Sequence, residues 1–201
     1  MKKLLLFAAV LFLPLAAFAQ GRVNFANARN LIQTNNQPYS PLGPASLSAS
    51  PLRIGLFIGP VGESNPQNLT LALNNIDGRP AWATNQPSPF AGHFNGGSNF
   101  EIQGNTGTPI SFQIRAWALP YITYNEALTA FNLGLPNVFN GVSTIGTVTP
   151  SIDVTPTPNL FGTAPGQISS FTVTSIIIPE PSSITLGLLG VGILSFFRRR
   201  N

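Results

Sequence analysis

Two stretches of the chain alternate apolar residues with other residue types at a period of two, and this pattern constrains the fold most strongly. They are RIGLFIG at 53–59 and ISFQIRAW at 110–117. Such an alternation places the apolar side chains of an extended strand on one face. Short apolar runs at 22–25 and 171–178 predict a first and a last strand, and turn residues separate the runs. The sequence therefore predicts an all-β, sandwich-like fold.

One segment departs from this pattern and predicts a short helix. Thr123 and Glu126 have the spacing of a capping box, in which each side chain accepts a hydrogen bond from the backbone N–H of the other residue. Apolar residues follow them, and Gly134 is suited to ending the helix. A weaker helix candidate at 68–75 runs into an Asp-Gly turn at 77–78. We therefore expect one or two short helices beside the strands.

Two other stretches are poor in packing residues and rich in Pro, Ser, Thr and Gly. For 35–51 we expect an ordered loop that crosses the sandwich. For 141–166 an ordered loop and a mobile segment both stay open, because Leu160 and Phe161 would be unusual in a solvated linker.

The beginning of the chain has the layout of a secretory signal peptide. Lys2 and Lys3 precede an apolar run over 4–15, and the small residues Ala17 and Ala19 then fit a cleavage site. We expect residues 1–19 to form a signal helix that is removed after Ala19. The exported β-rich domain would then span 20–178.

The end of the chain combines a short motif, an apolar run and a basic terminus. The motif is Pro179-Glu180-Pro181, and the basic residues are Arg198, Arg199 and Arg200. We expect a transmembrane helix over 184–197, about 21 Å long at 1.5 Å per residue against a hydrocarbon core of about 30 Å. The arginines would stay in the cytoplasm and leave the body outside. The apolar side chains of this expected membrane anchor are Ile184, Leu186, Leu188, Leu189, Val191, Ile193, Leu194, Phe196 and Phe197.

The motif, the apolar helix and the arginines at 179–201 together resemble the C-terminus of PEP-CTERM proteins, a family of exported bacterial proteins. The resemblance implies recognition by an exosortase, an integral-membrane cysteine protease/transpeptidase that cuts near the motif. It also implies transfer of the protein to the cell envelope or to an exopolysaccharide matrix. The body is similar to small verrucomicrobial proteins of this class, and that similarity implies no particular activity.

The charge of the chain excludes one class of partner. The net charge of +4 arises at the ends, whereas the body at 20–178 has five arginines, five carboxylates and no lysine. A nucleic-acid-binding protein needs a positive field over its surface, so we expect no nucleic-acid partner. The chain has no cysteine and one histidine, so we also expect no disulfide, metal or cofactor.

The carboxylates of the body have structural roles that the sequence already suggests. Glu126 fits the capping box, Asp77 lies in a turn, Glu101 lies on a candidate strand, and Asp153 lies in a Pro-rich stretch. No spacing among them argues for the carboxylate pair of a glycoside hydrolase. We expect a protein that is not an enzyme, with an envelope hydrolase as the least favoured alternative.

Aromatic side chains suggest a binding function instead. Strand alternation places Trp117 on the face of Gln113 and Arg115, opposite the apolar face, so we expect its ring to be exposed. His93 lies in a loop between Phe90 and Phe94, where it suits either ligand contact or a half-buried position in a tight turn. Trp117 and His93 are thus the candidate ligand contacts. The sequence leaves open a non-enzymatic envelope or matrix protein and a carbohydrate-binding module of the matrix.

Overall fold

The structure is a computed structural model that describes residues 20–27, 32–34, 43–44, 51–87, 89–152 and 156–175. Over these ranges the chain consists of short strands and one α-helix, which confirms the predicted all-β, sandwich-like fold. The expected signal helix and sorting segment lie outside these ranges. The elements are β1 (Arg22–Val23), β2 (Ala26–Asn27), β3 (Ile32–Thr34), β4 (Gly43–Pro44), β5 (Leu52–Pro60), β6 (Thr70–Leu71), β7 (Trp82–Thr84), β8 (Phe94–Asn95), β9 (Phe100–Glu101), β10 (Ile110–Ala118), α1 (Tyr124–Asn132), β11 (Phe139–Val142), β12 (Gly146–Val148) and β13 (Phe171–Ser175).

The two strands with the clearest alternation, β5 and β10, form the centre of the main sheet. They are antiparallel and pair along their whole length, from Leu52 opposite Ala118 to Pro60 opposite Ile110. The sheet runs in the order β4-β3-β13-β11-β10-β5-β6, with β12 also paired to β10 and β7 also paired to β5. Two small antiparallel pairs, β1 with β9 and β2 with β8, complete the fold.

One face of the central pair packs against a large aromatic core. Ile54, Leu56, Phe112 and Ile114 are fully buried on it. The core also holds a chain of edge-to-face rings from the small pairs and the loop before β13, a geometry that aromatic side chains favour. The ring centres lie 5.2 Å apart for Phe25 and Phe94, 6.1 Å apart for Phe25 and Phe100, and 5.6 Å apart for Phe94 and Phe161.

The second face of the sheet is also covered, which the alternation did not predict. Phe57, Leu69, Trp117 and Ala127 form a separate buried cluster there, built from β5, β10, helix α1 and the segment before β6. Every residue of β10 is buried in consequence. The expectation that Trp117 is exposed is therefore wrong, because the face it shares with Gln113 and Arg115 lies beneath helix α1 rather than in water.

The predicted helix forms as expected. Thr123 is its N-cap, its hydroxyl accepts a hydrogen bond from the Glu126 N–H at 3.3 Å, and the Glu126 carboxylate accepts from the Thr123 N–H at 3.2 Å. Gly134 follows with a φ of 74°, a left-handed conformation that suits glycine. Both halves of the capping-box prediction are confirmed.

The second helix candidate, at 68–75, is wrong. A single 3₁₀ turn at Pro66–Asn68, capped by the Asn65 side chain, ends before Leu69. The chain then becomes β6, whose Leu71 pairs with Phe57. Burial of alternate leucines against β5 stabilises the extended form more than the helical propensity of leucine stabilises a helix.

Other sequence-based boundaries change in detail. Of the expected first strand at 22–25, only Arg22–Val23 forms a strand, β1, and a separate strand β2 with a different partner follows at Ala26–Asn27. The described part of 141–166 is ordered, since it contains β12 and buries Leu160 and Phe161 in the aromatic core. Of 35–51, the structure describes 43–44, which form β4, and residue 51.

Candidate functional site

A cleft of about 620 Å³ opens where the small strand pair β2–β8 meets the loop that precedes β13. That volume lies within the usual range for small-ligand sites, about 300–1,000 Å³. We name this feature the amide cleft, because four asparagines and a glutamine contribute to its wall. Its lining residues are Asn24, Ala26, Asn27, Phe94, Asn95, Asn159, Phe161, Gly162, Thr163, Ala164 and Gln167.

Hydrogen bonds between amides hold the wall of the cleft together. The Asn24 side-chain amide donates to Asn159 Oδ1 at 2.6 Å, and the backbones of the two residues form a parallel bridge. Gln167 ties the loop to itself, donating through Nε2 to the Asn159 carbonyl at 3.0 Å and accepting from the Ala164 N–H at 3.0 Å. The wall is thus cross-linked before any ligand enters, which lowers the entropic cost of binding.

Several polar atoms of the wall retain hydrogen-bonding capacity. Asn24 Oδ1 is buried and has no partner among the described residues. Asn159 accepts through its carbonyl oxygens and Asn95 through Oδ1 from the Gly97 N–H, so the side-chain NH₂ of each keeps its donors within the described part of the chain. A buried acceptor without a partner costs about 1–3 kcal/mol.

The floor of the cleft is apolar, and the wall residues that the structure describes are uncharged. Phe94 and Phe161 are both buried, with their rings in edge-to-face contact. None of the described lining residues is acidic or basic. An apolar floor under a ring of amides is suited to a neutral ligand with many hydroxyl groups and weakly polar C–H faces.

The two ligand contacts predicted from the sequence are not brought together by the fold. Trp117 is 0% exposed and donates its indole N–H to the Tyr121 carbonyl at 3.1 Å, so its ring offers no surface to a ligand. His93 is half-buried, and its Nδ1 lies 3.2 Å from the Asn27 carbonyl beside the amide cleft. The centre of its ring lies 6.4 Å from the centre of the exposed Phe90 ring, in an edge-to-face arrangement.

Each described carboxylate forms an ion pair or accepts a hydrogen bond. Glu101 forms an ion pair of 2.8 Å with Arg22, and Asp77 accepts from the Arg79 N–H. Glu63 accepts from the Asn65 N–H and from the Asn68 side chain, and these hydrogen bonds lower its pKa. In the ranges that the structure covers, no group of three His, Cys, Asp or Glu side chains is placed to hold a metal ion.

The residues of the amide cleft were missed by sequence reasoning. Asn24 and Asn159 are 135 positions apart, and neither lies in a motif. The only sequence signal was the general abundance of Asn and Gln in the body. Alternation in 22–25 puts Asn24 on the face opposite Val23 and Phe25, but it cannot say which loop covers that face.

Comparison with known proteins identifies the C-terminal segment. Residues 178–201 match the family model of the PEP-CTERM protein-sorting motif. No curated protein and no solved structure shows significant similarity to the chain. Across the described ranges, no helix has both the length and the apolar character needed to cross a membrane. The expected anchor at 184–197 lies outside those ranges.

The match contains the predicted sorting residues Pro179, Glu180 and Pro181 and the terminal arginines 198–200. It confirms the resemblance derived from these residues. A protein with this motif is exported and sorted at the membrane by an exosortase. The chain therefore carries a C-terminal PEP-CTERM protein-sorting motif and is an exosortase substrate.

Proposed function

We propose that the chain is a non-enzymatic protein of the cell envelope or exopolysaccharide matrix, and that its body binds neutral polysaccharide in the amide cleft. The observation that carries the binding role is the cleft itself, in which the side-chain NH₂ groups of Asn95 and Asn159 keep their donors within the described residues and lie beside an apolar floor. Sugar hydroxyls both donate and accept, so they match a wall of amides better than a phosphate or a carboxylate would.

The electrostatics of the cleft favour a neutral glycan over an acidic one. An anionic polysaccharide is held best by arginine or lysine, and the described part of the lining has neither. Arg22, a cation on the nearby strand β1, is already paired with Glu101. We therefore expect the cleft to discriminate against uronic-acid polymers.

Each described carboxylate of the body already has a partner, which supports a non-enzymatic function for the body. Glycoside hydrolysis needs two carboxyls at a defined separation and available to the substrate. Glu101 and Asp77 contact arginines, whereas Glu63 and Glu126 hold backbone N–H groups of turns and a helix cap. None of these four carboxylates lines the amide cleft.

Sorting accounts for how the body reaches the matrix. We propose that the helix expected at 184–197 holds the chain briefly in the inner membrane, with the body outside the cytoplasm, until the exosortase cuts near Pro179–Pro181. Deletion of residues 184–201 should release an uncut body into the periplasm or the medium. The intact mass of the native envelope protein should end near 179–183, with or without an attached group. A mass that runs from residue 20 to residue 201 would contradict removal of the tail.

Polysaccharide binding is tested by affinity electrophoresis of the full chain in gels that contain dextran, mannan or galactomannan. The detergent should carry no sugar head group, since a glucoside would compete for the cleft. We expect retardation in at least one neutral gel and none in alginate, which is acidic. Asn159→Ala should weaken the retardation at least about fivefold, as expected for one or two lost hydrogen bonds.

The matched control is Asn132→Ala, the same substitution at an exposed position at the end of helix α1. It should leave retardation unchanged. Circular dichroism confirms that both variants are folded. The binding role is refuted if no neutral polysaccharide retards the protein, or if Asn159→Ala and Asn132→Ala behave alike.

A further inference from the structure

The chain leaves the described body at one end of the main sheet. Ser175 is the last residue of β13 and pairs with Phe139, the first residue of β11. The next residue of β11, Asn140, pairs with Trp117, and beyond it Ala118 pairs with Leu52 at the start of β5. We name this the exit end of the body. In the sequence, the sorting segment at 179–201 comes shortly after Ser175.

Two loops at the exit end expose large apolar side chains. Residues 119–123 follow β10, and residues 133–138 lead into β11, so both connect to the row of residues that includes Ser175. Ile122 is 62% exposed, Leu133 is 73% exposed and Leu135 is 44% exposed. Neither loop contains a charged residue. Large apolar side chains exposed on uncharged loops at one end of the sheet indicate an interaction surface.

The structure holds these side chains outward in a defined conformation. Gly134 and Asn137 have φ values of 74° and 60°, and Asn137 is the only described non-glycine residue with a positive φ. The Leu135 N–H also donates to the Ala130 carbonyl at 3.2 Å, which fixes the loop to helix α1. The exposure of the leucines is thus a property of an ordered turn.

The charges of the described residues near the exit end are few and balanced. Arg53 donates to the Ile122 carbonyl at 2.9 Å, and Glu126 accepts from the Ile122 N–H at 3.1 Å. No net charge therefore directs this surface toward a strongly charged partner. A surface of this kind suits the interface of a lipid bilayer, where apolar side chains insert and the backbone stays near the head groups.

The length of chain after Ser175 determines what this surface meets. Residues 176–183 separate it from the anchor expected at 184–197, and eight residues span at most about 28 Å when fully extended. A body of about 155 residues has a diameter of about 40 Å, from a radius of gyration of about 15 Å. The tether is shorter than the body, so the exit end stays near the bilayer while the chain is anchored.

We propose that the exit end is a lipid-contacting surface, in which Ile122, Leu133 and Leu135 insert into the outer leaflet interface before sorting. This inference rests on the membrane anchor of the proposed function. Tethering raises the effective concentration of the surface at the bilayer to the millimolar range, so weak insertion is enough to orient the body.

The absence of cysteine from the chain allows a direct test with single labelled positions. Leu133→Cys, or Leu135→Cys as a second variant, is labelled with the polarity-sensitive dye NBD. The full chain is reconstituted in phosphatidylethanolamine–phosphatidylglycerol vesicles with and without lipid spin-labelled near the head group. The matched control is Val61→Cys, because Val61 is 58% exposed and follows Pro60, which lies at the opposite end of β5.

We expect a blue-shifted emission at positions 133 and 135 and at least roughly twofold quenching by the spin-labelled lipid, with neither effect at position 61. Flotation of the vesicles separates two kinds of failure. A chain that does not float with the vesicles contradicts the anchor. A chain that floats but shows a water-like emission at 133 and 135 contradicts the lipid-contacting surface. A blue shift without quenching by lipid also overturns the inference, since it indicates contact with a second protein copy.

Discussion

The guanidinium carbon of Arg115 lies 4.0 Å from the centre of the Phe57 ring, on the face of the sheet that helix α1 covers. The Tyr124 ring flanks the same group at 4.9 Å. Arg115 donates through Nε to Gln113 Oε1 at 3.0 Å and through Nη2 to the Pro66 carbonyl. No carboxylate in the described residues forms an ion pair with it, and burial lowers its pKa. A buried cation is thus held by two rings and neutral acceptors.

Arg115→Lys should lower the free energy of unfolding by about 1–3 kcal/mol, because lysine keeps the buried charge but loses the flat stacking surface and the fork of donors. Arg115→Met should lower the free energy of unfolding by less than Arg115→Lys does. Methionine packs against Phe57 and removes the buried charge, and no opposite charge is left without a partner. Urea unfolding followed by circular dichroism measures the order of the two variants.

The control for this series is Arg79→Lys, since the Arg79 side chain is 83% exposed. It should change stability by no more than about 0.5 kcal/mol. If Arg115→Met is more destabilising than Arg115→Lys, the cation itself stabilises the fold. The rings and neutral acceptors would then compensate fully for its desolvation.

Tyr124 should make the protein less stable at alkaline pH. Burial raises the pKa of Tyr124 above its ordinary value of 10.0, although the nearby Arg115 and the hydrogen bond to Asn140 oppose the shift. The folded state therefore favours the neutral phenol. This contribution is fully present below about pH 10 and is lost as the pH rises through the folded-state pKa. Tyr124→Phe should flatten the fall in unfolding free energy between pH 9 and pH 11. Parallel pH profiles of the two proteins would contradict this.

Trp117 should matter for stability and not for binding. Trp117→Phe removes the indole hydrogen bond to Tyr121 and leaves a cavity beside Tyr124 and Phe57, so we expect a loss of about 1–3 kcal/mol. Retardation by neutral polysaccharide should stay at the level of the unsubstituted chain once folding is verified. Weaker retardation with an intact fold would contradict this prediction and would mean that Trp117 contributes to ligand binding.

The elements that were predicted correctly are those whose signal is local. The alternation at 53–59 and 110–117 indicates which side chains share a face of a strand, and the three-residue spacing of Thr123 and Glu126 indicates where a helix begins. Each signal needs only neighbours along the chain. The C-terminal motif is local in the same sense, and its match to a family model needed no knowledge of the fold.

The predictions that failed depend on what covers a surface. Alternation places Trp117 with Gln113 and Arg115 correctly, but it cannot show that helix α1 packs on that face. The amide cleft depends on contacts even farther apart in sequence, since Asn159 reaches Asn24 only after the loop before β13 folds over β2. Long-range contacts of this kind leave no periodic pattern in a single sequence.

The covered face should also show coupling between Gly59 of β5 and Leu69 of the segment above it. A Cβ atom at Gly59 would lie 2.7 Å from Leu69 Cδ2, with its next neighbours at 3.7 Å and 3.8 Å. Gly59→Ala should therefore cost about 1–3 kcal/mol through overpacking. Leu69→Ala should cost about 2–5 kcal/mol through the cavity it leaves.

The double variant separates close packing from independent effects. In the Leu69→Ala background the new methyl at position 59 enters open space, and alanine is favoured over glycine in a strand by about 0.5–1 kcal/mol. Gly59→Ala should then be neutral or stabilising, so the effect of one substitution changes sign with the other. Unfolding free energies of the four proteins give the coupling directly. Additive losses would mean that the loss on Gly59→Ala does not come from its contact with Leu69.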